Sequence, residues 1–277
     1  MTRVRDAITA ANHDGRAALI VYLPAGYPDM ATSQACMEAA AEAGADLLEI
    51  GFPYSDPLMD GPVIQQANQT ALDAGYTPSD DMAMCQRLNQ RVQIPALVMT
   101  YYNILWHYRA PDRLKAFAAD AAAAGLAGVI VPDLPVGESG DWLAVAADAG
   151  LATVFLVAST SSDDHLAAAA RASNGFVYAT STLGVTGTRE SLSERAGPLV
   201  ARLRDLTSNP VCVGIGVSTA AHAESVAGFA DGVIVGSAAV RAVAGGGPAA
   251  VAELVSELAA GCRRGYRSVA RVADSTR

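Results

Sequence analysis

The chain has 277 residues, of which 51% are hydrophobic and 17% charged, a balance that buries a large core and excludes a disordered or low-complexity protein. A formal net charge of −9 without any cluster of lysine and arginine argues against a nucleic-acid partner, while a small anion remains open to capture by backbone N–H groups. Cys36, Cys85, Cys212 and Cys262 are far apart and form no C-x-x-C pair, so reduced structural thiols are expected, not a zinc site or a disulfide framework.

In chain order, residues 1–6 lack an apolar signal segment, and no run of about 18 uninterrupted apolar residues occurs; both predict a cytoplasmic protein without a membrane span. Short apolar runs then recur at a spacing of roughly 20 to 45 residues, with alanine-rich helical patterns between them. They cover 18–23, 46–50, 96–100, 128–131, 153–157, 176–180, 211–214 and 232–235. Continuous Val/Ile/Leu segments without strict alternation suit parallel strands buried on both faces, and the helical patterns supply the crossovers. Ala43-Gly-Ala-Asp46, Ala124-Gly-Leu-Ala127, Ala149-Gly-Leu-Ala152 and Phe229-Ala-Asp-Gly232 each read as a helix-ending glycine and a tight turn into a strand. Eight such units without a linker predict one α/β domain over 1–277, a closed (β/α)8 TIM barrel, with a doubly wound open sheet as the competing arrangement. An extra N-terminal helix and additional helices in the loops after strands 2 and 8 complete the expected architecture.

In such a barrel the chemistry sits on the loops that follow the strands. The unusual ones here are the segment from Gly51 to Pro62, the stretch 181–197, and the glycine-rich turns after strands 7 and 8. Glu49 stands near the C-terminal end of an otherwise apolar strand, where burial favours its neutral form and suits it to proton transfer. The competing reading is a structural Glu paired with an Arg or with backbone amides. Asp60 lies eleven residues on, in an Asp-Gly-Pro turn, where a cap or turn role alone would explain it. Alternatively the two carboxylates face one cavity and divide acid and base work.

Gly214-Ile-Gly216, Gly236-Ser237 and Gly184-Val-Thr-Gly187 suggest a phosphate cradle of glycine amides and a short helix N-terminus. A nicotinamide fingerprint competes poorly, because Thr219 occupies the place of its third glycine. His13, His107, His165 and His222 have no ligand spacing, so no metal site is expected. Tyr178, two residues before the end of strand 6, reads as a pocket wall.

These residues closely resemble the tryptophan synthase alpha chain family. The likeness is carried by Pro24-Ala-Gly-Tyr-Pro28, the segment from Leu48 to Pro62, Pro132-Asp-Leu-Pro135, Gly184-Val-Thr-Gly187, Gly214-Ile-Gly-Val-Ser218 and Gly236-Ser237, in order through nearly the whole barrel. The resemblance implies retro-aldol cleavage of indole-3-glycerol phosphate to indole and glyceraldehyde 3-phosphate. By matching position Glu49 is the acid/base, and Asp60 the carboxylate that stabilises positive charge on the indole nitrogen. Tyr22, Tyr101 and Tyr178 match the indole pocket, Thr186 the loop threonine that meets the aspartate on closure, and Gly187, Gly216, Gly236 and Ser237 the phosphate cradle.

It further implies a partner, the pyridoxal-phosphate-dependent beta chain of an alpha2beta2 complex, with Pro53 and Asp56 as expected contacts and no cofactor in this chain. Thr182, Ser159 and Met59 depart from residues common in the family; none of them removes a catalytic group. A stand-alone indole-3-glycerol phosphate lyase releasing free indole uses the same residues and is the alternative. A Schiff-base aldolase is disfavoured, since the sole lysine, Lys115, falls in a helical pattern and such a lysine must project from a strand into the barrel.

Overall fold

The structure, a computed structural model, describes residues 2–180, 189–214 and 216–266, the stretch 189–195 by its backbone alone. The strands β1 (Ala18–Pro24), β2 (Leu47–Gly51), β3 (Ala96–Met99), β4 (Gly128–Ile130), β5 (Ala152–Ala158), β6 (Val177–Thr180), β7 (Val211–Gly214) and β8 (Gly232–Val235) follow one another around a closed parallel barrel. Closure is made by β8 pairing with β1, Ala18 opposite Gly232 and Val21 opposite Val235, which excludes the open sheet. Each of the eight apolar runs has become a strand, because only a segment apolar on both faces can stand between a filled barrel and a helical coat.

Period-2 alternation sorts the side chains. Leu19, Val21, Leu23, Leu48, Ile50 and Val98 pack outward in the main core, while Ile20, Leu47, Leu97, Ile130, Val154 and Ile234 fill the barrel. The expected N-terminal helix, α1 (Arg3–His13), plugs its lower end: Val4, Ile8 and Ala11 belong to the same interior cluster. Buried Asn12 ties it down by donating to the carbonyls of Arg16 and Asp231 at 3.1 and 2.9 Å.

The coat consists of α2 (Met30–Glu42) after β1, α3 (Pro62–Asp73) and α4 (Pro78–Asn89) after β2, and α5 (Tyr102–His107) and α6 (Arg113–Ala123) after β3. It continues with α7 (Gly140–Asp148), α8 (Asp163–Ala172), α9 (Arg189–Arg204), α10 (Ala220–Ala227) and α11 (Ser237–Gly265). The additional helix after β2 is α4, started by a reciprocal capping box between Thr77 and Asp80. A second helix after β3 lies beyond the sequence expectation; Pro111, with Arg109 and Arg113 at φ 40 and 43, separates α5 from α6.

After β8, α11 is two helices joined at Gly247 (φ 60, ψ −143) and Pro248. By length and composition it passes as a membrane span. Its Val251, Val255, Leu258 and Cys262 are buried in the main core.

Gly44, Gly125 and Gly150 sit just past helix ends at φ 112, 81 and 69, the left-handed conformation such a stop requires. Gly232 departs from that expectation. It is the first residue of β8, and a Cβ there would lie 2.6 Å from the Cys212 sulfur, so interior crowding and not a turn demands the glycine. All four cysteines are free and buried.

Candidate active site

Because Leu48 and Ile50 face the helices, Leu47, Glu49 and Gly51 must face inward. Glu49 is flanked in register by Tyr22 on β1 and Leu97 on β3. It is 1% exposed, and its Oε2 is buried without a hydrogen-bond partner. Burial, and secondarily the charge of Asp60, pushes its carboxyl up to about 8. Among the described residues it therefore forms none of the structural ion pairs considered from sequence.

Asp60 does not cap α3. That position belongs to Gly61, which makes no side-chain cap bond. The Asp60 carboxylate accepts instead from Asn68 Nδ2 at 3.2 Å and from the Tyr101 hydroxyl, which in turn accepts the Met59 N–H at 3.1 Å. Burial raises the Asp60 carboxyl to about 6 against the pull of these two hydrogen bonds. Tyr101 is buried, and its ring stacks on Tyr54 with centroids 4.8 Å apart.

Two inward glycines make room for the tyrosine rings. A Cβ on Gly51 would lie 2.6 Å from Tyr22 Cζ, and one on Gly214 2.8 Å from Tyr178 Cζ. Burial raises both phenols, with added push from Asp60 and Glu49 on Tyr22 and chiefly from Glu49 on Tyr178. These mutual effects place Tyr22, Glu49, Asp60, Tyr101 and Tyr178 around one space at the C-terminal ends of the strands.

On the neighbouring rim, Gly236 precedes α11 and Ser237 is its first residue, so the free amides of that helix open at the barrel mouth. An ideal Cβ on Gly236 would stand 3.6 Å from Tyr22 and from Ile64, which locates this rim beside the carboxylate pocket. Gly216, exposed and at φ 53, follows β7 next door. Thr186, Gly187 and Thr182 lie outside the described residues. Of the two expected partner contacts, Asp56 is exposed and Pro53 is buried in this chain at the start of the same loop. Leu58, 83% exposed, and Met59, 39% exposed, stand in the same loop, and Ser159 is exposed in the turn after β5.

Among the described residues no group of three or more His, Cys, Asp or Glu is arranged to hold a metal, and Lys115 lies exposed on α6, away from the barrel interior. Grooves of about 220 and 460 Å3 on the helical coat share no residue with the carboxylate pocket; the buried acid, not groove size, marks the candidate site. Sequence reasoning passed over Asn68. Its signal is a polar residue within the buried stripe of α3, beside Ala67 and Ala71.

A closed (β/α)8 barrel with a buried glutamic acid beside a hydrogen-bonded aspartate at its mouth is the arrangement of a barrel enzyme with its site at the C-terminal ends of the strands. The model of the tryptophan synthase alpha chain family matches residues 8–264. The chain is 49% identical over 265 residues to the tryptophan synthase alpha chain of Streptomyces avermitilis, covering 94% of each. It is 48% identical to that of Leifsonia xyli subsp. xyli, covering 96% of this chain and all of the other. A structure of Mycobacterium tuberculosis tryptophan synthase superposes with a TM-score of 0.88 at 45% identity, over 95% of this chain and 98% of that one. The chain belongs to the tryptophan synthase alpha chain family.

Proposed function

We propose that this chain cleaves indole-3-glycerol phosphate to indole and glyceraldehyde 3-phosphate, the alpha reaction of tryptophan synthase in L-tryptophan biosynthesis, as a cytoplasmic enzyme. The observation that carries the reading is Glu49, buried, unpaired and raised to about 8, a carboxylic acid still protonated near neutrality.

The protonated Glu49 donates to indole C3, and the ring nitrogen takes up the positive charge. Asp60, the more acidic of the pair, stabilises that cation as a carboxylate. Glu49, now ionised, accepts the proton of the glycerol hydroxyl. The oxygen closes to an aldehyde carbonyl, the carbon–carbon bond breaks, and its electron pair returns to the ring. Glu49 ends as it began, so one residue serves as acid and then base without net proton change.

Tyr22, Tyr101 and Tyr178 wall the indole ring, with Thr186 contributing from the loop after β6. Gly187, Gly216, Gly236 and Ser237 hold the phosphate by backbone amides and the α11 N-terminus. No cofactor is needed for these steps. The partner is a pyridoxal-phosphate-dependent beta chain in an alpha2beta2 complex, and the exposed side chains of Asp56, Leu58 and Met59 beside the pocket suit a docking surface.

The test is indole release from indole-3-glycerol phosphate by the purified chain, with and without the beta chain from the same source. Slow release that rises sharply with the partner is expected. Fast release unaffected by it would favour a stand-alone lyase, and no release in either case would overturn the assignment.

A further inference from the structure

Asn68 sits on α3, 1% exposed, with its amide nitrogen on the carboxylate of Asp60 and its Oδ1 buried without a partner. Burying an amide is costly unless both ends are satisfied. Leu or Ala would fill the same stripe of α3 without that cost, so stability gives no reason for an asparagine here. What Asn68 does supply is a donor rigidly mounted on a helix. The Gln65 side chain adds a second tie by donating to the Asp60 carbonyl at 2.9 Å. Asp60 itself ends an exposed loop containing Ser55, Asp56 and Leu58, and would turn freely without these anchors.

We propose that Asn68 is a positioning residue for the cleavage reaction: its Nδ2 holds Asp60 Oδ2 so that the carboxylate faces the pocket that contains Glu49. This rests on the function proposed above. The ionisable groups facing Asp60 are Glu49 from β2, Tyr22 from β1, Tyr101 from the start of α5 and, further off, Tyr178 from β6. None carries a positive charge, so the ionised form of Asp60 depends on neutral donors. Among the described residues two donors reach it, Asn68 and Tyr101. Removing the Asn68 amide takes away one of them, and Asp60 then holds its proton to higher pH.

Asn68→Leu and the isosteric Asn68→Asp test this beside the wild type and Asp60→Asn. Each Asn68 variant is expected to lower kcat about tenfold or more, with KM changed by less than about threefold. The midpoint of Asp60 protonation, followed by carbon-13 NMR of carboxyl-labelled aspartate and identified by its loss in Asp60→Asn, should move upward. In the Asp60→Asn background Asn68→Leu should then have no further effect on kcat. Should Asn68→Leu fail to fold, Asn68→Asp carries the same two expectations. An unchanged kcat and midpoint, or an equal loss of kcat in the Asp60→Asn background, would overturn the proposal. If the wild type released no indole, the function proposed above would fail, and the NMR midpoint alone would decide whether Asn68 holds Asp60.

Discussion

Tyr22 and Glu49 are register partners on adjacent parallel strands, and both side chains turn into the barrel. The phenol ring closes one flank of the carboxyl, Leu97 on β3 closes the other, and among the described residues no cation or amide compensates. A carboxylate in such a place would be a buried, unpaired charge, so the group keeps its proton.

Replacing Glu49 with Gln keeps the shape and removes the acid. Cleavage is expected to fall by at least about a thousandfold while substrate still binds, as read by isothermal titration. The same variant should be the more stable protein at alkaline pH. The folded-state carboxyl is raised to about 8 from 4.5, so wild-type stability is full below the lower value and is lost as pH rises through the upper. The melting temperature of Glu49→Gln should exceed that of wild type by a few degrees at high pH, and the gap should close on acidification.

The rate should follow a bell in pH. Asp60 must be ionised, and its midpoint of about 6 sets the acid limb; Glu49 must be protonated, and its midpoint of about 8 sets the alkaline limb. A kcat/KM profile flat across both regions would contradict this division of labour, and Asp60→Asn should remove the acid limb along with most of the rate.

The strand runs and the long segment from Glu49 to Asp60 were legible in the sequence because each follows from local chemistry. A both-sides-buried strand must be apolar throughout, and an acid inside one is conspicuous. Asn68 was not legible, because its partner sits eight residues away around an unfolded-looking turn, and a buried amide on an alanine-rich helix gives a weak signal. Gly232 resembled a turn glycine until β7 placed Cys212 against it.

Gly214→Ala tests how tightly the pocket is built. The added methyl would sit 2.8 Å from Tyr178 Cζ, so the ring must leave its place. A rise in KM of about tenfold and a lower melting temperature are expected, whereas Gly140→Ala, which meets nothing within 4 Å, should leave both near wild type.

Ser237→Asp separates phosphate binding from stability. A carboxylate in the first turn of α11 complements the helix dipole, so folding is unharmed or helped, but it repels the substrate phosphate. Steady-state kinetics should show KM raised about tenfold or more at an unchanged melting temperature; an unchanged KM would remove Ser237 from the phosphate rim.

The most direct measurement is the ionisation state of Glu49 itself, by infrared spectroscopy of carbon-13 carboxyl-labelled glutamate in wild type and Glu49→Gln. A protonated carboxylic-acid band is expected at neutral pH, absent from the variant and titrating near 8. A Glu49 already ionised at neutral pH would contradict it, since an ionised side chain cannot deliver the proton that begins the cleavage.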